Sequence, residues 1–324
     1  MKSLIKEVLN RKDDYEDREI TNDQIWETLE SCRLKIQVWG VAGMGNNVVN
    51  LLMTMGGERA EMIAVNTDSQ HLDNVMADKK LLIGKNITRS CNDPKIGEFA
   101  AKESADAIKN SLEADLVFII YGLGGNTSTG AGSVIAKLAR DMGALTVAVC
   151  TLPFRMEGLE RVRNAMEGLK RIQKISNTLI IVPNKNLLHL SSDLTLERAL
   201  EINNEIIARA VKGITELIMK PQLINLDFAD IQRMVADGRI GMIGYGESDN
   251  QNHRVEEAVR ETLKYPSLCD VAISTAKRAL ICISGGDSLS LAEAQEAVLK
   301  ISNQIDPDAE IIWGFEQFID FYWN

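Results

Sequence analysis

Apolar and polar residues along this chain follow two alternating patterns, one typical of buried strands and one typical of helices. Short apolar runs end in turn residues and are followed by longer stretches whose apolar residues recur at helical spacing. The predicted strands are 35–41, 61–66, 80–83, 115–121, 144–150 and 178–182, and the predicted helices are 46–56, 96–112, 130–142 and 157–175. This alternation predicts an α/β domain built on a doubly wound parallel sheet.

The regions that flank this alternation differ from it in length and composition. Residues 1–33 are charged and predict a helical extension, and residues 195–219 predict one helix roughly 35–40 Å long. Later strand patterns at 240–247, 271–274, 279–284 and 309–314 alternate with helical ones at 252–264 and 290–304. We therefore expect an N-terminal extension (1–33), a larger α/β domain (34–194), a central helix (195–219) and a smaller α+β C-terminal domain (220–324).

Two glycine-rich turns follow predicted strands and indicate a phosphate site. One is Gly122-Leu123-Gly124-Gly125-Asn126-Thr127-Ser128-Thr129-Gly130, and the other is Gly40-Val41-Ala42-Gly43-Met44-Gly45-Asn46-Asn47. Glycines let backbone N–H groups approach phosphate oxygens, and the helix that follows adds partial positive charge. The first turn lacks the Gly-Lys-Ser/Thr of a P-loop, and Ala42 replaces the second glycine of the dinucleotide fingerprint. Each turn alone fits an ordinary strand-to-helix connection, but two at one sheet edge favour a ligand site.

Two polar clusters outside these turns are further candidates for ligand contacts. Asn203 and Asn204 interrupt the apolar stripe of the central helix, either as core amides bonded to backbone or as amides that face a ligand. Asp227 and Asp230 stand at the start of a later helix. They fit helix capping, and they equally fit a pair of carboxylates directed at a water or a metal. Spacing along the sequence leaves both alternatives open for each cluster.

Composition excludes several classes of function. The net charge of −10 argues against general nucleic-acid binding, although backbone dipoles can still bind phosphate. The cysteines form no CxxC pair and the three histidines lie far apart, so we predict no metal site built from protein ligands. No apolar run reaches the ~18–20 residues of a membrane span, and the N-terminus lacks a signal-peptide core. We therefore expect a cytoplasmic protein without nucleic-acid partners and without direct membrane insertion.

Several motifs, in the same order along the chain, resemble those of one known family. Gly124 to Gly130 resembles the family's phosphate signature GGGTGTG, and Gly45-Asn46-Asn47 resembles the GNN of its first loop. The other similar segments are Asn66-Thr67-Asp68, Thr151 to Gly158, Pro183-Asn184, Asn225 to Asp230 (NLDFAD), Asp306 to Ala309 and Ile311 to Gly314. Over roughly residues 34–315 the chain therefore resembles the FtsZ family, the tubulin-related GTPases of cell division.

This resemblance implies a nucleotide site that takes GTP or GDP, with Mg²⁺ bound through the phosphates and no metal ligand from the protein. Glu157 and Arg161 are expected toward the ribose and phosphates, and Asn47, Asn184 and Asn204 near guanine. The residues expected to cradle the phosphates are Gly43, Gly45, Asn46, Gly124, Gly125, Asn126, Thr127, Ser128, Thr129 and Gly130.

The resemblance also implies that catalysis is shared between subunits. In the family the acidic loop completes the nucleotide site of the next subunit. Asp227 and Asp230 are therefore expected to polarise the attacking water in trans. The expected partner is a second copy of this chain in a head-to-tail filament, with membrane-tethering adaptor proteins as further candidates.

Some residues depart from the family pattern around the phosphates and the base. Asn126 and Ser128 replace two glycines, and Leu200 stands where the family often has a Phe near the base. Residues 88–94 are glycine-free and three residues shorter than the family loop that contacts the terminal phosphate. We predict a filament-forming GTPase with slow hydrolysis. The alternatives are a nucleotide-binding cytoskeletal scaffold with little or no GTPase activity and, third, a Rossmann-type dinucleotide oxidoreductase.

Overall fold

The computed structural model describes residues 34–56, 59–84, 93–184, 195–219, 228–235, 239–250, 252–267, 273–286 and 288–317. The elements below belong to a compact unit that begins at Lys35. The predicted N-terminal extension, residues 1–33, lies outside the described residues, as do most of the predicted loop 88–94 and Asp227.

A parallel sheet of seven strands forms the larger part of this unit. Its strands are β1 (Ile36–Val41), β2 (Glu61–Asn66), β3 (Lys79–Leu82), β4 (Leu116–Gly122), β5 (Leu145–Leu152), β6 (Thr178–Pro183) and β7 (Arg239–Gly241). The strand order is β3-β2-β1-β4-β5-β6-β7, and every neighbouring pair is parallel. All six strands predicted for this domain are present, which confirms the doubly wound sheet. The direction of chain progression reverses between β1 and β4, where such folds bind ligands.

Ten α-helices accompany the strands in the described part of the chain. They are α1 (Ala42–Thr54), α2 (Ser69–Asp73), α3 (Pro94–Glu103), α4 (Ala105–Ser111), α5 (Asn126–Asp141), α6 (Leu159–Gln173), α7 (Leu196–Met219), α8 (Phe228–Val235), α9 (Arg254–Ser267) and α10 (Leu291–Ser302). The central helix α7 matches the prediction closely. The prediction of one helix over 96–112 is wrong, because the chain breaks at Ser104, whose hydroxyl accepts a hydrogen bond from the backbone N–H of Gly84.

Helices α1 and α5 both begin four residues earlier than predicted. The glycines after β1 and β4 indicated loops because glycine is a poor helix former. The structure instead places Gly43 and Gly45 within the first turns of α1, and Gly130 within α5. The turns that remain are short, so each helix starts almost directly at the sheet edge.

The C-terminal region contains a smaller sheet of two parallel strands, β8 (Arg278–Gly285) and β9 (Glu310–Gln317). Two predicted strands are corrected here. The pattern at 240–247 yields only β7, which joins the large sheet, because the following residues leave it and press Gly246 against the backbone of α9. The pattern at 271–274 falls on a 3₁₀ turn, Ile273–Thr275, in the part that the structure describes.

Helices α3 and α5 touch backbone to backbone at two glycines. A Cβ on Gly97 would lie 2.3 Å from the carbonyl oxygen of Asn126, and one on Gly130 would lie 2.0 Å from that of Pro94. Both distances are far below van der Waals contact, and both neighbours are main chain that cannot rotate away. Glycine is therefore required at both positions, and this contact fixes the start of α5.

We expect Gly130→Ala to lower the free energy of unfolding by about 1–3 kcal/mol or more, because the added methyl overlaps backbone. Gly213→Ala in α7 is the matched control, since its Cβ would stand 3.6 Å from Cys282, an ordinary contact. The free energy of unfolding of the control should rise by up to ~1 kcal/mol, because Ala has a higher helix propensity than Gly. Urea unfolding of both variants measures the difference, and equal stabilities would contradict the packing argument.

Candidate nucleotide-binding site

A cavity of about 470 Å³ opens at the carboxyl ends of the central strands. Its wall is formed by the segments that follow β1, β4, β5 and β6, together with the first half of α7. The lining residues are Ala42, Gly43, Met44, Gly122, Leu123, Gly125, Asn126, Thr127, Ser128, Thr151, Pro153, Phe154, Met156, Glu157, Arg161, Asn184, Leu196, Leu200, Asn203 and Asn204. Both predicted glycine-rich segments thus reach the same space.

Two helices direct their N-termini to this cavity. Helix α1 starts at Ala42 and α5 at Asn126, both on the cavity wall. Neither helix has a side-chain hydrogen bond at its N-cap, which is Val41 in α1 and Gly125 in α5. The first N–H groups of a helix have no partner within the helix, and its dipole adds partial positive charge there. This arrangement suits an anion such as phosphate.

The turn between β4 and α5 is held by internal hydrogen bonds. Gly124 has a φ of 99°, which favours glycine, and its N–H donates to Oγ1 of Thr129 over 2.8 Å. The N–H of Leu123 donates to the carbonyl oxygen of Thr151 over 2.9 Å, which ties the turn to β5. The hydroxyl of Thr127 lies 2.9 Å from that of Thr67. The turn is therefore shaped by the protein itself before any ligand enters.

Nine of the residues proposed for the ligand site line the cavity, namely Gly43, Gly125, Asn126, Thr127, Ser128, Glu157, Arg161, Asn184 and Asn204. Others lie behind its wall. Gly45 is buried against β4, where a Cβ would lie 2.1 Å from the carbonyl oxygen of Ile120, and Gly130 packs on α3. Thr129 is buried and holds Gly124, which itself contacts Arg161, while Asn47 is exposed and lies outside the cavity lining. These five residues shape the site or flank it.

Asn46 is buried completely, and neither its Nδ2 nor its Oδ1 has a hydrogen-bond partner among the described residues. An unsatisfied buried polar group costs about 1–3 kcal/mol, so native proteins rarely keep one without a reason. Asn46 stands one residue after Gly45 in the first turns of α1, whose N-terminus reaches the cavity, but Asn46 itself lies behind the lining residues. An orphaned amide at this place fits a site whose polar ligand completes the hydrogen bonding.

The two charged residues on the cavity wall neutralise each other. Glu157 accepts a hydrogen bond from the backbone N–H of Phe154 over 2.7 Å, and it pairs with Nε of Arg161 at 3.2 Å. Both residues lie at the part of the wall that follows β5. The glutamate thus fixes the 3₁₀ turn Arg155–Glu157 and orients the arginine toward the cavity.

A cluster of three buried amides forms another part of the wall. Asn184 follows β6, and Asn203 and Asn204 lie on α7, with side chains that are 8%, 1% and 9% exposed. The Nδ2 of Asn203 donates to Oδ1 of Asn184 over 3.1 Å. The family resemblance implies ligand contacts for Asn184 and Asn204 but not for Asn203. The sequence pattern leaves Asn203 open as a core amide or a ligand-facing amide, because it interrupts the same apolar stripe as Asn204.

Cys150, a cysteine near this wall, does not contribute to it. Cys150 precedes the cavity residue Thr151 on β5, and its side chain is buried with Tyr121 on the other side of the strand. Burial raises the pKa of the Cys150 thiol to about 12, so it remains protonated at neutral pH. A protonated, buried thiol is neither a nucleophile nor a metal ligand.

Asp230 lies away from this cavity, in the first turn of α8. It forms an ion pair with Arg233 one turn later, and Arg233 lies 3.6 Å from Glu310 on β9. Glu310 also lies 3.8 Å from Nε of Arg278 on β8. These charges join the acidic helix to the small sheet. Within one chain, the structure does not bring Asp230 to the residues that line the cavity.

Among the described residues, no group of three or more His, Cys, Asp or Glu side chains is arranged to hold a metal ion. None of the helices in the described ranges combines the length and apolarity that a membrane crossing requires.

A larger cavity, of about 1360 Å³, lies along the second half of α7. Aliphatic residues of α7, α9 and β8 contribute to its wall, among them Ile214, Leu217, Val259 and Ile281. Both glycine-rich turns and all three amides lie elsewhere. This cavity is the larger of the two, but the smaller one has the convergent polar groups and helix N-termini that favour it as the nucleotide site.

Comparison with known proteins agrees with this geometry. The family model described as "Tubulin/FtsZ family, GTPase domain" matches residues 35–192, and "FtsZ family, C-terminal domain" matches 239–320. The chain is 50% identical over 299 residues to "Cell division protein FtsZ 1" of Pyrococcus horikoshii, covering 91% of this chain and 80% of the relative. It is 47% identical over 295 residues to the protein of the same name from Methanocaldococcus jannaschii, covering 90% and 80%.

Solved structures of FtsZ and CetZ proteins are similar to this chain in fold. "FtsZ dimer, empty (M. jannaschii)" aligns with a TM-score of 0.84 at 45% identity and covers 92% of this chain and 88% of that chain. "CetZ2 from Haloferax volcanii - GTPgS bound protofilament" aligns with a TM-score of 0.72 at 19% identity, covering 88% and 89%. At that identity the second likeness shows a shared fold.

Ala42 adopts a φ of 59°, a left-handed conformation that costs a non-glycine residue about 1–2 kcal/mol. We expect Ala42→Gly to raise the free energy of unfolding by about 0.5–1 kcal/mol, because relief of strain exceeds the added flexibility of the unfolded chain. Ala131→Gly, inside α5, is the control and should lower it by about 1 kcal/mol. Chemical denaturation should show that the free energy of unfolding rises in Ala42→Gly and falls in Ala131→Gly. A lower free energy of unfolding in both variants would contradict strain at Ala42.

The unpaired amide of Asn46 predicts an unusual response to an apolar replacement of similar shape. We expect Asn46→Leu to leave the unfolding free energy of ligand-free protein unchanged or to raise it by up to ~3 kcal/mol, while ligand-induced stabilisation falls. The matched control is Asn66→Leu, because Asn66 Oδ1 accepts hydrogen bonds from the N–H groups of Thr67 and Asp68. Thermal unfolding with and without GTP measures both quantities. A destabilised Asn46→Leu protein that keeps its full ligand response would contradict this assignment.

Proposed function

This chain belongs to the tubulin/FtsZ family, as an FtsZ-type cell-division GTPase, and from that premise we propose that it binds GTP and GDP in the cavity described above. We further propose that it hydrolyses GTP only when a second copy completes the site. The observation that carries the proposal is the meeting, in one cavity, of two uncapped helix N-termini with three buried amides. The first feature suits a polyphosphate and the second a purine edge.

The phosphate end of the nucleotide is assigned to the starts of α1 and α5. Gly43 leaves open space around its Cα, since a Cβ there would meet no atom within 4 Å. The start of α5 lies on the same wall and presents the backbone N–H groups of Gly125, Asn126 and Thr127. Asn46 lies behind this wall and carries a buried amide that has no hydrogen-bond partner among the described residues. A phosphate chain placed here receives backbone hydrogen bonds without needing a cluster of lysines.

The base is assigned to the amide end of the cavity, formed by Asn184 and Asn204. An amide carries both an acceptor oxygen and two N–H donors, so two amides can match the mixed acceptor and donor edge of guanine. Both are nearly buried, which makes a mismatched partner costly. Arg161, held by Glu157, is assigned to the sugar and phosphate side between these two ends. The assignment of exposed Asn47 to guanine remains a prediction.

Hydrolysis is assigned to the acidic helix of a neighbouring subunit. Asp230 lies outside the cavity of its own chain, so it can reach a nucleotide only in another copy. A relative in the structural comparison is titled an FtsZ dimer, which supports self-association. Asp230, with Asp227, would orient the attacking water through hydrogen bonds to the carboxylates. Mg²⁺, when bound through the phosphates, neutralises charge that develops on them.

A scaffold with little or no hydrolysis is the second candidate, and the phosphate wall favours it in one respect. Asn126 and Ser128 both line the cavity, where smaller residues would leave more room for a phosphate. The hydroxyl of Ser128 lies so near Gly125 that a Cβ there would stand 2.7 Å from it. Slow turnover combined with tight nucleotide binding would distinguish this candidate from an active GTPase.

A site shared between two subunits predicts that Asp230→Ala abolishes GTP hydrolysis and leaves the nucleotide affinity of a single chain unchanged. We expect GTP hydrolysis per chain to rise with protein concentration in the wild type, and to fall at least ~100-fold in Asp230→Ala, because a group that acts in the transition state is lost. The affinity of dilute protein for a fluorescent GTP analogue should change less than ~2-fold, since dilute chains are separate. Sedimentation of the same samples reports assembly.

Asp106→Ala is the matched control, because Asp106 occupies the first turn of α4 as Asp230 does in α8, and it is exposed. It removes a comparable helix-dipole interaction and should leave turnover unchanged. Loss of nucleotide binding in dilute Asp230→Ala would place this carboxylate in its own chain's site. Wild-type protein that pellets with GTP but shows flat, near-zero turnover would favour the scaffold.

A further inference from the structure

Asn203 is oriented toward another amide of the cavity. Its Nδ2 donates to Oδ1 of Asn184 over 3.1 Å, and both side chains are nearly excluded from solvent. Asn204, the next residue on α7, lines the same cavity. Successive residues of a helix differ by about 100° in direction, so the two amides of α7 are not interchangeable. Both amides line the cavity, but Asn203 donates a hydrogen bond to Asn184, and Asn204 is the one that the proposed function assigns to the ligand.

This hydrogen bond decides which atoms Asn184 offers to a ligand. The oxygen and nitrogen of an amide have nearly the same size, and rotation about the last side-chain bond is soft. A solitary Asn184 could therefore present either its acceptor or its donors. Because Asn203 donates to Oδ1, the N–H groups of Asn184 point away from α7. Asn184 then acts toward a ligand as a hydrogen-bond donor.

The chemistry of purines makes this orientation selective. Guanine carries a carbonyl oxygen at position 6, and adenine carries an amino group there. A fixed donor pairs with the carbonyl and opposes the amino group. Mismatched buried polar groups are what allow a site to reject a near-isostere strongly.

We propose that Asn203 is a positioning residue that sets the purine specificity of this site by holding Asn184 in its donor orientation. The inference rests on the proposed function, namely that a purine nucleotide occupies the cavity. Asn203 itself acts through Asn184. It therefore governs the ratio of GTP to ATP affinity more than the affinity for the phosphates, which lie at the other end of the cavity.

Asn203→Asp is the sharpest variant, because the carboxylate has the shape of the amide but only accepts hydrogen bonds. It should turn Asn184 so that its N–H groups face α7 and its oxygen faces the base. We expect the wild type to bind GTP at least ~10-fold more tightly than ATP, and this ratio to fall to within ~3-fold of unity in the variant. Any repulsion between the new charge and the phosphates affects GTP and ATP alike and cancels in the ratio.

Asn203→Ala gives the same test without a buried charge. It frees Asn184 to turn either way and should lower the ratio at least ~3-fold. A double-mutant cycle separates positioning from a general structural effect. In an Asn184→Ala background, Asn203→Ala should leave the ratio unchanged, because the group that it orients is gone. Fluorescent GTP and ATP analogues, competed with unlabelled nucleotides, supply the affinities, and thermal unfolding identifies any variant that fails to fold.

The outcomes separate this inference from the function on which it rests. Wild-type protein that binds neither nucleotide, or both equally, would overturn the assignment of the cavity to guanine. Wild-type preference for GTP that persists in folded Asn203→Ala, or in folded Asn203→Asp, would overturn the positioning role alone. A ratio that changes by the same factor with and without the Asn184 side chain would also overturn it.

Discussion

The site depends on how closely helix α1 approaches strand β4. Gly45 stands so near the sheet that a Cβ would lie 2.1 Å from the carbonyl oxygen of Ile120, and Gly40 on β1 is similarly close to Gly45. This backbone contact draws the start of α1 to the point where chain progression reverses between β1 and β4. The start of α5 is fixed in the same way by Gly130 against α3. Both helix N-termini thereby converge on one cavity, and the chemistry of the site follows from that convergence.

An acidic chain can therefore present a site for an anion. The protein carries a net charge of −10, and within the described residues Glu157 and Arg161 are the charged members of the cavity wall. They compensate each other at 3.2 Å. The attraction for phosphate thus comes mainly from oriented peptide groups, which hold their positions without the rotamer freedom of lysine. Oriented peptide groups can thus attract an anion locally in a protein that is acidic as a whole.

The sequence predicted the sheet well because buried parallel strands give continuous apolar runs. It predicted helix starts less well, because Gly43, Gly45 and Gly130 serve close packing inside helices, and their composition looks like that of a loop. The polar break at Asn203 was visible, but its partner Asn184 is 19 residues away and belongs to another element. Only the fold brings such pairs together. The strand prediction at 240–247 was wrong for a related reason, since contact with α9 overrode a local pattern.

The glycine contact between α3 and α5 also has a dynamic consequence. Main-chain atoms of Gly97 and Gly130 meet the facing helix directly, with no side chain between them to absorb small movements. The two helices must therefore open to solvent together, as one cooperative unit in hydrogen exchange. A ligand held at the N-terminus of α5 would then slow amide exchange along α3 as well, although α3 contributes no residue to the cavity wall. Occupancy of the site could then be measured at a helix that lies outside the cavity wall.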